Sequence, residues 1–250
     1  VRLKEIFKNQ PTTVEFRKSD LTTGVELDGA TLTVLDKDGN EIDKWTSVKG
    51  EPHIIKRLHV GETYILREEF APYGYLKAEE VEFTITDTAE IQKVEMKDDV
   101  PIGRIIINKK GEFLSEVSWN DMVAGAMDSI WGYVTGSLKD VTFEIYARED
   151  IKAADGESDD YYKKDELVAT IKTDELGIAR TDDLPLGKYY VVEKETADGF
   201  VLDGEPRDID LTYRDQDTPV VTFDSEWQNS RQKAKVIVTK KEKDSDRVLE

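Results

Sequence analysis

The sequence contains no cysteine, so disulfide bonds and thiolate metal sites are both excluded. No apolar run approaches the roughly 18 residues of a membrane helix, which predicts no membrane insertion within this sequence. Positive charge is scarce, because 35 Lys and Arg residues stand against 54 Asp and Glu residues and give a formal net charge of −19. Such a chain could not neutralise a run of phosphates, so we expect no nucleic-acid partner.

Histidine is also rare, and the pattern around it predicts neither a metal site nor a catalytic triad. His53 and His59 have no partner residues at metal-ligand spacing, and we expect both at the surface or in turns. The acidic run 155–160 lacks the spacing of a dedicated calcium loop, so we interpret it as a solvated charge run. The sequence therefore predicts no cofactor.

The 250 residues leave room for two domains of ordinary size, and the 38% of hydrophobic residues are enough to form their cores. Short alternating apolar runs are separated by turn sequences such as Asp38-Gly39-Asn40 and Leu184–Gly187. This spacing of strands and turns is typical of all-β sandwiches of the immunoglobulin type. A domain-sized repeat of the pattern predicts two such domains in tandem.

A lysine, a glutamate and an Asp or Asn recur in the same order and context in both halves of the chain. Each lysine ends an alternating apolar run, each glutamate follows Gly-x-x-Tyr, and each Asp or Asn ends another alternating run. The two sets are Lys18, Glu68 and Asp98, and Lys109, Glu193 and Asn229.

Both lysines are predicted to point into a core. Lys18 follows Val14 and Phe16 at two-residue intervals, which places all three on one strand face, and the same spacing precedes Lys109. Burial lowers the pKa of a lysine and raises that of a carboxylic acid, so a free amine and a protonated acid can coexist there. A neutral amine held against a carboxyl or carboxamide can form an amide cross-link, with the neighbouring acid as proton shuttle. An ordinary buried ion pair is the alternative that the residues leave open.

The first half resembles the Cna-B (SpaA-type) domains of Gram-positive pilins and surface adhesins. The matching motifs are Lys18-Ser19-Asp20, Leu27–Ala30, Gly61–Tyr64 with Glu68, Ala71–Tyr75 and Asp98. The second half keeps Lys109, Gly187–Tyr190, Glu193 and Asn229. It departs from the pattern in lacking x-Asp after Lys109, in Leu138–Val141 and in Thr196–Phe200, which has no proline.

The resemblance implies an immunoglobulin-like sandwich with a spontaneous isopeptide bond between its first and last strands, Lys18–Asp98 in one unit and Lys109–Asn229 in the other. We expect one domain over 12–100 and a second over 101–232. The second carries insertions near 113–139 and 148–166. We expect a short helix in the first insertion, whose aromatic residues 119–133 would pack on the sandwich, and a long acidic loop in the second.

The two ends of the sequence look like parts of further repeats. Residues 1–11 resemble a last strand, with Asn9 in the acceptor position, and residues 233–250 resemble a first strand, with Lys240 in the lysine position. Within this sequence we expect both residues to be inert. The neighbouring repeats of the same chain are therefore the expected partners.

These features predict a stalk segment of a cell-surface adhesin or pilin that is extracellular and cell-wall anchored, with Glu68 and Glu193 acting once as proton shuttles. One alternative is an adhesin module that binds a host protein or glycan through the insertions of the second domain. Another is an enzyme with two free carboxylates facing a cleft, for example a glycan hydrolase. The spacing of the acidic residues along the sequence indicates no such pair.

Overall fold

The computed structural model describes residues 11–123, 126–233 and Lys243, with the backbone alone over 117–123 and 126–131. The predicted flanking strands at 1–11 and 233–250, with Asn9 and Lys240, lie outside the described residues except at 11, 233 and 243. Every regular element of the described part is a β-strand. The all-β prediction is therefore confirmed.

The first unit is a sandwich of two sheets, with strand orders β4-β1-β7 and β3-β2-β5-β6. The first and last strands, β1 and β7, are parallel neighbours, while the other pairs are antiparallel. The strands are β1 Thr13–Asp20, β2 Thr31–Leu35, β3 Glu41–Thr46, β4 His53–Lys56, β5 Thr63–Phe70, β6 Val81–Thr84 and β7 Gln92–Asp98.

The second unit repeats this architecture. One sheet has the order β11-β10-β14-β15, and in the other β8 pairs with β9, β12, β13 and, in parallel, β16. The strands are β8 Ile102–Val123, β9 Ala126–Ser137, β10 Thr142–Ala147, β11 Leu167–Lys172, β12 Ile178–Arg180, β13 Leu184–Pro185, β14 Gly187–Glu195, β15 Arg207–Leu211 and β16 Val220–Asn229.

Each sandwich has its own apolar core, built from the inward-facing residues of both sheets. Phe16, Leu32 and Leu66 belong to the first core, and Phe143 and Val191 to the second. The alternation seen in the sequence accounts for this arrangement, since successive side chains of a strand face opposite sides. Two separate cores agree with the predicted tandem sandwiches.

The helix expected near 113–139 is wrong, because this segment forms a β-hairpin. Strand β8 runs on past the sandwich and pairs with β9, with Phe113 opposite Val134 and Leu114 opposite Tyr133. Extending an existing strand adds hydrogen bonds without the nucleation cost of a new helix, and aromatic and β-branched residues favour the ladder. A Cβ at Gly136 would lie only 3.0 Å from the Phe113 ring, so this glycine makes room for a cross-strand aromatic side chain.

The second insertion, 148–166, is irregular apart from one bridge between Ile151 and Tyr162. It reaches the first unit, where Glu157 forms an ion pair with Lys49 at 2.5 Å. Nearby, Tyr213 of the second unit donates a hydrogen bond from its hydroxyl to the Tyr75 carbonyl at 3.0 Å. The two sandwiches are thus joined by polar contacts as well as by the chain.

Gln216 contributes three more hydrogen bonds between the units, the longest from its side-chain nitrogen to the Glu69 carbonyl at 3.5 Å. Its side-chain oxygen accepts from the Ala71 N–H at 2.9 Å, and its carbonyl accepts from the Lys77 N–H at 3.0 Å. Both donors belong to the loop after β5, which also carries Tyr75. The segment after β15 is therefore fastened to the loop that follows Glu68 in the first unit.

Candidate functional site

The parallel pairing of the first and last strands places lysine and acceptor side by side in both units. Lys18 is paired with Met96, and Asp98 follows two residues later on β7. Lys109 is paired with Trp227, and Asn229 follows two residues later on β16. Because strand side chains alternate with a period of two, each acceptor faces the same core as its lysine. The same two-residue offset in both units is a property of the fold that spacing along the chain does not reveal.

In the first unit, Glu68 completes the site from the opposite sheet. Lys18, Glu68 and Asp98 are respectively 3%, 0% and 0% exposed. The Lys18 Nζ lies 2.9 Å from Glu68 Oε1 and donates a hydrogen bond to Asp98 Oδ1. The Ala78 N–H donates to the other glutamate oxygen at 2.7 Å and so fixes the orientation of the Glu68 carboxyl.

The charges of this cluster do not balance if every group is ionised, because one ammonium would face two carboxylates. Burial raises the pKa of Asp98 to about 7, against the lowering effect of the Lys18 charge and hydrogen bond. The cluster becomes neutral overall when one carboxyl keeps its proton. A protonated Asp98 carboxyl is also the form in which water can leave when an amine attacks.

In the second unit, Lys109, Glu193 and Asn229 are respectively 1%, 3% and 1% exposed. The Lys109 Nζ lies 2.7 Å from Glu193 Oε2, at an angle that does not make a hydrogen bond. Asn229 Nδ2 donates to Glu193 Oε1 and, at 2.8 Å, to the Thr196 hydroxyl. Neither Lys109 Nζ nor Asn229 Oδ1 has a hydrogen-bond partner among the described residues.

Lys109 lies in surroundings that favour its neutral form. Burial lowers the pKa of Lys109, although the neighbouring Glu193 opposes the shift. The Lys109 Nζ also lies 5.7 Å from the centre of the buried Phe143 ring. An unprotonated amine with a free lone pair is the species that can attack a carboxamide.

The structure brings together all six residues singled out in the sequence, three in each unit. In the first unit the Tyr75 hydroxyl donates to buried Asp20 at 2.8 Å, two residues beyond Lys18. In the second unit one further side chain, Thr196, joins the cluster itself by its contact with Asn229. Thr196 lies 33 positions before Asn229 in the sequence, so no local pattern could have indicated the contact.

Among the residues that the structure describes, the remaining titratable groups form no further buried cluster of this kind. His53 hydrogen-bonds Asp43 at 2.8 Å and stacks on Trp45, and His59 is exposed. No group of three or more metal-ligand side chains occurs in the part of the chain that the structure describes. In the same part, no helix long and apolar enough to cross a membrane is found.

Comparison with known proteins identifies a family that most of this chain matches. The family model described as SpaA, a prealbumin-like fold domain, matches residues 12–100 and 133–227. A search of curated proteins finds no match. Among solved structures, the Bacillus anthracis TIE protein is 23% identical with a TM-score of 0.54, covering 88% of this chain and 34% of its own, so this chain spans about a third of that structure.

Two pilin structures also match, with lower similarity. The minor pilin GBS52 of Streptococcus agalactiae is 13% identical over 92% of this chain and 100% of its own, with a TM-score of 0.36. The major pilin subunit BcpA of Bacillus cereus is 12% identical over 89% and 100%, with a TM-score of 0.34. Of these three structures, the TIE protein, with its TM-score of 0.54, shows a shared fold, and the family match carries the classification.

Proposed function

This chain belongs to the family of SpaA prealbumin-like fold domains, and we propose that it is a stalk segment of a Gram-positive cell-surface adhesin or pilin, braced by self-formed Lys18–Asp98 and Lys109–Asn229 isopeptide bonds. The observation that carries the proposal is the pair of buried clusters at identical strand register. We place the domains at 12–100 and 101–232, with neighbouring repeats of the same chain as partners and the cell wall as the site of anchorage.

In the first unit, the neutral Lys18 Nζ attacks the Asp98 carboxyl carbon. Glu68 takes a proton from the attacking nitrogen and returns one to the departing oxygen, so that the C–O bond breaks and water leaves. The fold supplies most of the acceleration, since groups held in contact react with effective molarities of about 10⁵–10⁸ M. The product is a neutral amide, which removes the unbalanced charge from the core.

Each bond is formed once and consumes its own side chains, which distinguishes the chain from a turnover enzyme. Glu68 and Glu193 are buried in the cores, so neither faces a cleft as the carboxylates of a glycan hydrolase would. The cross-links connect the first and last strands of each unit. If tension enters at one of these strands and leaves at the other, the bond carries it and most of the unit cannot extend.

The mass of the intact chain under denaturing conditions tests this proposal. We expect the wild type to lack one water and one ammonia, Glu68→Ala to regain the water and Glu193→Ala to regain the ammonia. The neighbouring substitutions Glu69→Ala and Glu195→Ala serve as controls and should keep both losses. An unmodified wild-type mass would contradict the proposal and leave two ordinary sandwiches.

A cavity between the units favours the adhesin alternative as a second candidate. It measures about 360 Å³ and is lined by Tyr73, Tyr161 and Tyr213, together with Lys152 of the second insertion. Tyr73 is 83% exposed at its edge, and exposed aromatic side chains are common in ligand sites. Saturable binding of a host matrix protein or glycan that Tyr73→Ala and Tyr213→Ala abolish would support this function, and unchanged binding would exclude this cavity.

A further inference from the structure

Asn229 is held in one orientation by two acceptors on its amide nitrogen. Asn229 Nδ2 donates one hydrogen bond to Glu193 Oε1 and a second to the Thr196 hydroxyl at 2.8 Å. The carbonyl oxygen of the same side chain has no partner in the described part of the chain. The nitrogen that must leave is therefore fixed by two hydrogen bonds before the attack begins.

The first unit has no counterpart of this hydroxyl. Thr196 lies three residues after Glu193, and the residue three after Glu68 is Ala71, whose N–H is bound by Gln216 instead. The presence of this hydroxyl in one unit only matches the difference in acceptor residue. The first unit would lose water from Asp98, whereas the second would lose ammonia from Asn229. An amide nitrogen is the poorer leaving group and must be protonated before it departs.

We propose that Thr196 is a positioning residue for isopeptide formation in the second unit, where its hydroxyl holds the departing nitrogen of Asn229 against the proton-donating oxygen of Glu193. The role rests on the function proposed above. Thr196 is half-buried, whereas Asn229 is buried.

The proton transfers balance around Glu193. The neutral Lys109 amine attacks Cγ of Asn229, and Glu193 Oε2, which lies 2.7 Å from Nζ, accepts a proton from the attacking nitrogen. Once the attack has made the carbon tetrahedral, the Nδ2 lone pair is free and receives the carboxyl proton from Oε1, the C–N bond breaks, and ammonia departs. The glutamic acid is regenerated with its proton on the other oxygen, and Thr196 keeps Nδ2 in line with Oε1 throughout.

The test follows both bonds in the full chain made by cell-free synthesis, with samples quenched in acid and weighed intact over time. We expect Thr196→Val to slow the loss of ammonia roughly tenfold, as removal of one hydrogen bond to the reacting group implies. Thr196→Ser should restore the rate. The loss of water from the first unit serves as an internal control for synthesis and quenching, and Thr142→Val, a threonine outside the cluster, should change neither rate.

Wild-type kinetics in Thr196→Val would overturn the proposal, as would a Thr196→Ser variant that is as slow as Thr196→Val. If valine disturbs folding, the pair Thr196→Ser and Thr196→Ala, which differ by one hydroxyl, repeats the test, and equal rates in that pair would also overturn it. A wild type that never loses ammonia would instead remove the proposed cross-link of the second unit itself. The two failures are therefore distinguishable.

Discussion

The two sandwiches present the same cluster geometry with different chemistry. In the first unit two carboxyls and a lysine share a buried site, so a proton must be retained there. In the second unit one carboxyl and a carboxamide share it, and the charge can balance without an extra proton. A single fold therefore places lysine, glutamate and acceptor, while the identity of the acceptor decides which protonation state can react.

The largest expected difference is the loss of one cross-link at a time. Lys18→Met and Lys109→Met keep an apolar chain of similar length but remove the nucleophile. The links close loops of about 80 and 120 residues, so the loop-entropy model predicts losses of about 4.5 and about 5 kcal/mol in unfolding free energy. Denaturant unfolding followed in each unit would measure them, and an unchanged midpoint in either variant would contradict the cross-link there.

The pH dependence of bond formation should separate the units. Asp98 reacts as the acid, and its pKa of about 7 means that the reactive form falls about tenfold for each pH unit above 7. Asn229 has no such requirement, and the lowered pKa of Lys109 favours its free amine as pH rises. From pH 6 to 8.5 we expect water loss to slow and ammonia loss to hold or accelerate. Parallel pH profiles would contradict the assignment.

The same shift affects the stability of the unlinked first unit. The pKa of Asp98 is raised in the folded state from its ordinary value of 3.8 to about 7. A raised carboxyl pKa stabilises the folded state below about pH 4, and this contribution is lost as pH rises through about 7. The unlinked Glu68→Gln protein keeps Lys18 and the burial that is the largest cause of the shift, but loses the smaller raising effect of Glu68. We therefore expect it to unfold somewhat more readily at pH 7.5 than at pH 5. Equal stability at both values would exclude this effect of Asp98.

A smaller difference concerns the loop after each glutamate. The Tyr75 hydroxyl donates to buried Asp20, whereas Phe200 occupies the matching place in the second unit and packs on Phe113. Tyr75→Phe should destabilise the first unit by about 1.5–3 kcal/mol, the range for a hydrogen bond to a charged group. Thermal unfolding of the Glu68→Ala background would show it, and no loss there would mean that Asp20 is satisfied by the Thr22 and Thr23 amides alone.

The smallest effect is expected at the contact between the units. Gln216→Ala removes the side-chain acceptor of the Ala71 N–H while leaving both cores intact. The net value of such a hydrogen bond is about 1 kcal/mol. Faster limited proteolysis between the units, with unchanged cross-linking, is the expected result. Unchanged proteolysis would show that this contact does not hold the sandwiches together.

Sequence alternation predicted the inward direction of Lys18 and Lys109 because that direction depends only on neighbours two residues away. The repeated motifs also indicated the fold class that the family match supports. The hairpin of β8 and β9 was missed for the converse reason. Its residues could equally suit a capped helix, and only the existing strand β8, ready to be extended, decided between the two.

By itself the sequence determined that there are two all-β units, that cysteine chemistry is absent, and that a lysine, a glutamate and an Asp or Asn recur in order. Tertiary structure decided that each acceptor lies two residues beyond the partner of its lysine, that the glutamate arrives from the facing sheet, and that Thr196 joins only the second cluster. The physical reason is the distance along the chain over which each interaction acts. Strand periodicity is set by adjacent residues, whereas parallel pairing joins Lys18 and Asp98 across 80 positions within one sheet. Glu68 reaches them only because the second sheet packs against the first.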